Sequence, residues 1–248
     1  MSDSSTTSTA GAAGPTVVLV HGAFADASGW ADVISLLQAA GVAVVAPPNP
    51  LRGLSADTAY IASAVNQVAG PVVLAGHSYG GAVVTNAGSQ ADNVVGLVYV
   101  AAFIPDEGET ILALASQATD SLLGAALRPA QYPTGGDQPG TEFIIDPASF
   151  HEVFCADLPE DQAAVMAVSQ RPAADVGFGE PTTNPAWKTL PSWAVVATAD
   201  NAIGPTGASA MAARSGAQVT EVDASHVVMI SQPQAVADVI LAAVAAVS

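Results

Sequence analysis

The sequence predicts an α/β fold: a doubly wound, mostly parallel six-stranded sheet with helices on both faces. Short β-branched runs, apolar on both faces, recur along the chain, and longer helical patterns separate them. Strand and helix alternate six times, which is typical of a parallel sheet built from successive crossover units. The predicted strands are residues 17–21, 42–46, 72–75, 94–101, 193–198 and 218–222.

Helix signals fill the intervals between these strands. Gly41 and Gly70 follow the first two helical patterns, and Ser55 is the predicted N-cap of the second. Pro233 opens the last pattern, in the first turn, where a missing backbone N–H is tolerated. The predicted helices are residues 29–40, 56–69, 80–89, 206–215 and 233–247.

The alternation stops between residues 104 and 190. No clear strand pair is evident there, while Pro, Gly and aromatic residues accumulate. Because a structureless loop of this length is implausible in a compact domain, we expect short helices that form a cap over the carboxyl edge of the sheet. The predicted core is therefore residues 16–103 and 191–248, with a helical cap of residues 104–190 inserted after the fourth strand. Residues 1–15 are predicted to form a disordered tail.

Length and composition exclude several classes of function. The 248 residues, 50% of them hydrophobic, can bury a core without a disulfide or a metal. The 22 acidic residues against 5 basic ones give a net charge of −17, which repels phosphate backbones and anionic lipid. We therefore expect neither a nucleic-acid nor a membrane partner, although the low charge density leaves neutral surface on which a homodimer could form. Because the N-terminus lacks the features of a signal peptide, we expect a cytoplasmic protein.

The motif Gly76-His77-Ser78-Tyr79-Gly80 lies between the third predicted strand and the next helix. This is the G-x-S-x-G pattern in the strand–turn–helix context that it requires. The flanking glycines are needed because the turn is strained and a β-carbon would collide with the adjoining strand or helix. Such a turn would raise the Ser78 hydroxyl above the sheet edge and aim the backbone N–H of Tyr79 at the atom under attack. Ser78 is therefore the predicted nucleophile.

A serine hydroxyl needs a base to take its proton, and the chain has four histidines. His226 follows the last predicted strand at the carboxyl edge of the sheet, where Ser78 also lies, and is the predicted base. His77 would point away from its neighbour, His21 ends the first strand, and His151 lies in the cap.

The imidazole in turn needs a carboxylate that fixes its tautomer. Asp200 follows the fifth predicted strand at the same sheet edge and gives the chain order Ser, Asp, His that accompanies this motif. Asp106 and Glu107 follow the preceding strand, and Asp223 lies near His226 in sequence, so these three carboxylates are alternatives to Asp200.

A glycine turn, residues 21–24, closes the first predicted strand. We expect the backbone N–H of Ala23 to be a second oxyanion donor beside that of Tyr79, with the N–H of Phe24 as its alternative. The side chains of Phe24 and Phe103 are the predicted substrate-binding residues.

Signals for metals and cofactors are weak. Residues 151–155 resemble a zinc-binding helix, but Cys155 stands where the second histidine belongs, and no third ligand is evident. The chain has no P-loop, and no G-x-G-x-x-G motif follows a strand. We therefore expect no cofactor and no metal.

Together these residues resemble the α/β-hydrolase superfamily, in particular its small bacterial members related to plant methylesterases and hydroxynitrile lyases. The resemblance covers nearly all of the chain after the tail and rests on the segments VVLVHGAF, GPVVLAGHSYGG, ATADNAI and DASHVVMISQP. It implies a Ser78–His226–Asp200 triad, oxyanion donors at Ala23 and Tyr79, and a substrate pocket under the cap.

The chain departs from the hydroxynitrile lyases at two positions. Those lyases carry threonine after the first histidine and lysine directly after the triad histidine, whereas this chain has Gly22 and Val227. Without a cation there, released cyanide has no stabilising partner, so hydrolysis is the predicted reaction. We expect an esterase that cleaves a carboxylic ester or lactone with an apolar part through an acyl-enzyme on Ser78. The alternatives are a cofactor-free, haloperoxidase-like perhydrolase, a ligand receptor with this fold and, third, a lyase.

Overall fold

A computed structural model describes residues 14–248 of the protein. Most of the predicted disordered tail, residues 1–13, therefore lies outside the described residues. The strands in chain order are β1 (Thr16–Val20), β2 (Val44–Val45), β3 (Val72–Ser78), β4 (Val94–Ala102), β5 (Leu127–Tyr132), β6 (Gly140–Ile145), β7 (Ala173–Ala174), β8 (Ser192–Ala197) and β9 (Gln218–Val222).

The helices complete the alternation. They are α1 (Ala31–Ala39), α2 (Leu54–Asn66), α3 (Tyr79–Ala87), α4 (Ile111–Gln117), α5 (Leu123–Ala126), α6 (Phe150–Phe154), α7 (Glu160–Val168), α8 (Val176–Gly179), α9 (Pro205–Ser215), α10 (Val228–Ser231) and α11 (Pro233–Ala246), with short 3₁₀ turns at Ala27–Trp30 and Ala186–Lys188. None of the helices in residues 14–248 combines the length and the apolar character that a membrane span needs.

Six parallel strands form the central sheet in the order β2-β1-β3-β4-β8-β9. Strands β3 and β8 are buried along their whole length, as expected where helices cover both faces. Helix α1 contacts α11, and α2 contacts α3, so the helices pack in pairs against the sheet. The predicted fold class is confirmed. Because parallel strands end at one edge, the segments that follow β1, β3, β8 and β9 come together there.

Two local predictions need correction. The predicted N-cap Ser55 lies inside α2, because the helix already begins at Leu54 after Gly53. The backbone N–H of Ser55 instead donates a hydrogen bond to a side-chain oxygen of Glu180, 2.7 Å away. In addition, β3 continues to Ser78, beyond the predicted end at residue 75, since β3 still pairs with β4 there.

Residues 104–190 contain the expected short helices, α4 to α8, but also a three-stranded antiparallel sheet in the order β5-β6-β7. The sequence analysis did not predict this sheet. Pro129 lies within β5 and cannot donate to a ladder, which is tolerated because β5 is an edge strand. An ion pair joins Arg52 of the core to Glu142 of the cap, with the charged atoms 2.6 Å apart.

Candidate active site

Ser78 ends β3 in a strained backbone conformation, with φ 54° and ψ −125°. A non-glycine residue rarely adopts such a positive φ, at a cost of about 1–3 kcal/mol. The tight approach of α3 explains the flanking glycines. A β-carbon on Gly76 would lie 2.4 Å from the carbonyl oxygen of Gly80, and one on Gly80 would lie 2.6 Å from the carbonyl oxygen of Val20. The structure therefore has the strained turn that the motif predicts.

His226 and Asp200 form a buried pair at the carboxyl edge of the sheet. His226 Nδ1 lies 2.8 Å from Asp200 Oδ2, and both side chains are almost inaccessible to solvent. The other oxygen of Asp200 accepts the backbone N–H groups of Ala202 and Ile203, at 2.8 and 2.9 Å. The carboxylate thus takes part in three hydrogen bonds, which fix its orientation beside the imidazole. Because Nδ1 donates to Asp200, Nε2 of His226 is the nitrogen that is free to accept a proton.

The alternative acids have other partners or no contact with the base. Asp106 Oδ1 lies 2.5 Å from Lys188 Nζ, and Glu107 lies 3.9 Å from the same ammonium group. Among residues 14–248, Asp200 is the only carboxylate that is hydrogen-bonded to the His226 ring. No hydrogen bond in this part of the chain joins Ser78 Oγ to His226, a bond that in free enzymes often tightens only when substrate binds.

His77 links the nucleophile turn to the base. Its Nε2 lies 3.0 Å from the carbonyl oxygen of His226, and since a carbonyl can only accept, Nε2 carries the proton. Burial, reinforced by the nearby His226, lowers the pKa of His77 well below its ordinary value. The neutral His77 ring packs against the His226 ring, with ring centroids 4.7 Å apart.

The turn after β1 is held by His21 and Asn49. The Asn49 N–H donates to His21 Nε2 at 2.9 Å, so His21 Nδ1 carries the proton and donates to the carbonyl oxygen of Gly22, also at 2.9 Å. Asn49 Nδ2 in turn donates to the His21 carbonyl oxygen at 3.0 Å. Burial lowers the pKa of His21, which keeps the ring neutral. The sequence analysis missed Asn49, and its place between two prolines after β2 is the only local signal.

The same turn passes directly over the nucleophile. A β-carbon on Gly22 would lie 2.7 Å from the β-carbon of Ser78, so only glycine fits. Phe24 has a φ of 64°, which marks the tight turn of the loop. Among the turn, loop and cap hydrogen bonds of residues 14–248, none uses the backbone N–H of Ala23 or that of Tyr79. Both predicted oxyanion donors therefore lack a partner among these bonds.

The Tyr79 side chain anchors the residue after the nucleophile. Its hydroxyl donates to Asp57 Oδ2 at 2.8 Å, and Asp57 Oδ1 accepts the Arg52 N–H at 3.0 Å. Burial raises the pKa of Asp57, and burial beside that carboxylate raises the pKa of Tyr79. Asp57, which the sequence analysis also missed, thus holds Tyr79 from within the core.

Three phenylalanine rings close the site. Phe154 of α6 packs against His226 with ring centroids 5.0 Å apart, and against Phe24 at 6.5 Å. Phe24 also stacks on Phe178 of α8 at 6.4 Å. With these rings in place Ser78 is only 7% exposed. Phe154 and Phe178 were not predicted as site residues, although the accumulation of aromatic residues in the cap was the available signal.

The two predicted substrate-binding residues line different cavities. Phe24 borders a cavity of about 280 Å³ beside the turn after β1, together with Met166 of α7 and Val227. Phe103 borders a second cavity of about 300 Å³, where α4 faces α9, with Arg214 on its wall. Neither cavity has Ser78 or His226 in its lining, so the structure does not bring Phe24 and Phe103 into one pocket.

The segment that resembles a zinc helix has another arrangement. Its residues fold as α6, and His151 Nε2 lies 2.9 Å from the carbonyl oxygen of Leu158. Over residues 14–248 no group of three or more His, Cys, Asp or Glu side chains is placed to hold a metal ion.

A parallel sheet with a strained serine turn and a His–Asp pair at its carboxyl edge defines the class of hydrolase-fold proteins. A model of the alpha/beta hydrolase family matches residues 17–239, and the chain belongs to this family. Among curated proteins it is similar to a carbendazim hydrolyzing esterase from Nocardioides sp. (strain SG-4G), with 33% identity over 114 residues, 41% of this chain. The alignment spans about half of that relative, 47% of its length.

Solved structures share the fold over nearly the whole chain. Polyneuridine aldehyde esterase is 20% identical with a TM-score of 0.79, and the alignment covers 92% of this chain and 98% of that one. A methylesterase from Arabidopsis is 22% identical with a TM-score of 0.77, and the alignment covers 93% and 99% of the two chains.

Proposed function

We propose that the protein is a serine hydrolase that cleaves a neutral, largely apolar carboxylic ester or lactone through an acyl-enzyme on Ser78. The observation that carries the proposal is the buried His226–Asp200 pair at the sheet edge where Ser78 sits in its strained turn. Acyl transfer needs a base with a fixed tautomer at the edge where the serine is held in such a turn. The esterase names of the relatives agree with this reaction class.

In the first half-reaction, Ser78 Oγ attacks the carbonyl carbon while His226 Nε2 takes the hydroxyl proton. The carbonyl electron pair moves to oxygen, and the free N–H groups of Ala23 and Tyr79 bind the resulting oxyanion. Each such donor contributes about 2.7–4 kcal/mol to transition-state stability. When the intermediate collapses, the alkoxide leaves and receives the proton from His226. Asp200 stabilises the imidazolium that exists between these two proton transfers.

In the second half-reaction, water takes the place of the alcohol. His226 Nε2 takes a proton from the water as its oxygen attacks the acyl carbon. The tetrahedral intermediate then expels Ser78 Oγ, which recovers the proton from His226. The products are the carboxylic acid and the free enzyme, and no cofactor takes part in this scheme.

Charge and packing around the site support a neutral, apolar substrate. The rings of Phe24, Phe154 and Phe178 pack on one another, and Phe154 packs against the base His226. Four of the five cationic side chains of the protein are held in ion pairs: Arg52, Arg128, Lys188 and Arg214. A substrate carboxylate would therefore meet a strongly acidic protein with few available cations.

The lyase alternative is the least supported. Val227, which follows His226, is fully buried and apolar, so no side chain there can stabilise cyanide. At position 22, the β-carbon of a threonine would crowd the β-carbon of Ser78. A perhydrolase would use the same residues, with peroxide replacing water in the second half-reaction, and a receptor would bind a ligand without turnover. Assays must separate these two from hydrolysis.

The test compares hydrolysis of p-nitrophenyl acetate and butyrate by wild type, Ser78→Ala and the control Ser116→Ala, whose hydroxyl lies on the exposed face of α4. We expect Ser78→Ala to lower turnover by about 10⁴- to 10⁶-fold and Ser116→Ala to leave it unchanged. Mass spectrometry after a fluorophosphonate probe should place the label on Ser78. A Ser78→Ala variant with a tenth of wild-type activity would rule the proposal out.

Two further assays address the alternatives. If the rate of monochlorodimedone halogenation with added peroxide exceeds the rate of ester hydrolysis, the perhydrolase is favoured. A single slow burst with the label on Ser78 would favour a receptor. Once hydrolysis is established, a panel of methyl esters, lactones and the carbamate carbendazim would define the substrate, the last because of the name of the Nocardioides relative.

A further inference from the structure

Asp157, in the cap loop between α6 and α7, binds the residue directly before the base. Its Oδ2 accepts the backbone N–H of Ser225 at 2.9 Å, and its Oδ1 accepts the Ser225 hydroxyl. Ser225 is almost fully buried, so both of its donors need a partner within the protein. Although partial burial alone would raise it, the hydrogen bonds from Ser225 lower the pKa of Asp157 below its ordinary value. The carboxylate is thus ionised at neutral pH.

The same cap segment contacts the proposed triad at two more points. The carbonyl oxygen of Glu152 accepts a hydrogen bond from Asn201 Nδ2 at 2.9 Å, and Asn201 directly follows Asp200. Phe154 packs against the His226 ring. Residues 152–157 therefore touch both loops that supply the acid and the base.

Within residues 14–248, the core makes two hydrogen bonds to His226 itself. Asp200 fixes the ring, and His77 donates to the backbone carbonyl of His226. The backbone that enters the residue, at Ser225, is fixed from the cap by Asp157. Loss of that carboxylate would leave two buried donors without partners and would free the loop to move. Since a misplacement of about 1 Å can lower a rate by about 10²-fold, the loop position matters for proton transfer.

We propose that Asp157 is a positioning residue for His226, so that the catalytic base is in place only while the cap is seated on the core. This proposal rests on the proposed function of Ser78 and His226. It makes the cap a structural part of the triad as well as a cover for the substrate.

The test uses the full-length protein, four single variants and one double variant. Asp157→Ala removes both acceptors, and Asp157→Asn keeps one oxygen for the Ser225 N–H. Ser225→Ala removes only the hydroxyl bond. Asp137→Ala is the matched control, since Asp137 is an exposed cap carboxylate with no hydrogen bond or ion pair in the described residues. All assays are made well below the Tm of each variant, so that every variant is folded.

We expect Asp157→Ala to lower kcat by about 10- to 100-fold with KM little changed, because the base and not the binding site is displaced. Asp157→Asn should recover most of kcat, and Asp137→Ala should match wild type. The kcat of Ser225→Ala should lie between those of wild type and Asp157→Ala. The double variant Asp157→Ala/Ser225→Ala should have a kcat no lower than that of Asp157→Ala, since the two side chains share one interaction. Fluorophosphonate labelling of Ser78 should slow in parallel with kcat.

A second readout does not depend on activity. The proton between His226 Nδ1 and Asp200 should give a downfield proton NMR resonance, which Asp157→Ala should weaken or remove although Asp200 is intact. A folded Asp157→Ala variant with wild-type kcat and an unchanged resonance would overturn the proposal. If Ser78→Ala remains active while Asp157→Ala loses the resonance, the proposed function fails and the positioning role of Asp157 stands.

Discussion

The Phe154 ring of the cap stands at 61° to the ring of His226, with their centroids 5.0 Å apart. An aromatic ring in this place has two effects. It shields the imidazole from water, which strengthens the His226–Asp200 interaction. In the proposed reaction we also expect it to offer an apolar face to the substrate, so that the cap would affect selectivity as well as electrostatics.

Phe154→Leu should reduce the preference of the enzyme for longer acyl chains. The smaller side chain removes part of the apolar surface against His226, so the ratio of kcat/KM for p-nitrophenyl butyrate to that for the acetate should fall. Phe150→Leu is the control, because Phe150 is equally buried and contacts Phe154, yet has no ring contact with His226. An equal fall of the ratio in both variants would show that cap packing in general, and not Phe154, sets the selectivity.

Asp200→Asn should lower kcat by about 10⁴-fold while the fold is kept. The amide oxygen can still accept the N–H groups of Ala202 and Ile203, so the amide NH₂ would face His226 Nδ1 and force the wrong tautomer. Asp106→Asn is the control: it loses an exposed ion pair with Lys188 and should keep wild-type kcat. If Asp106→Asn instead shows the large loss of kcat, Asp106 and not Asp200 is the acid of the triad.

Tyr79→Phe should lower stability more than activity. The change leaves Asp57 Oδ2 buried without its hydroxyl donor, which costs about 1–3 kcal/mol of unfolding free energy. The backbone N–H proposed to bind the oxyanion is unchanged, so kcat should change by less than about tenfold. Urea denaturation measures the first effect. Tyr60→Phe, at an exposed position of α2, should stay within about 0.5 kcal/mol of wild type.

The free energy of unfolding should fall as the pH falls from 7 to 5. Burial lowers the folded-state pKa of both His21 and His77 below 6.5. The unfolded chain therefore binds more protons in this range, and stability is lost as the pH drops below about 6.5. Asp57 acts in the opposite direction, since its folded-state pKa is raised and protonation favours the folded state. Urea midpoints across this range test the balance, and midpoints that stay constant or rise toward pH 5 would contradict it.

The parts of the fold that were predicted correctly are those specified by local sequence. The run from β3 through Ser78 into α3 is one continuous signal of apolar residues, glycines and a serine. Asp200 and His226 were placed near each other because parallel strands end at one edge, and the structure has them in contact. The assignment of catalytic roles to these residues stays a prediction until the variants are measured.

The features that were missed arise from contacts between distant segments. Asp157 and Ser225 are 68 positions apart, and nothing near either residue in sequence indicates their hydrogen bond. The β5–β6 hairpin is half-exposed and includes Pro129, so its pattern resembles a loop. Asn49 and Asp57 matter because of buried atoms on other elements, which only the folded chain brings to them.

The attachment of the His226 loop to the cap also affects how the enzyme would lose activity on heating. Segments with few apolar contacts and many exposed hydrogen bonds open at lower free energy than the core of a sheet. The half-exposed hairpin of β5 and β6 and the largely exposed helix α7 belong to such a segment. Its detachment would release Ser225 while the six central strands stay paired. Thermal inactivation would then precede the far-UV circular dichroism transition and would be reversible on cooling.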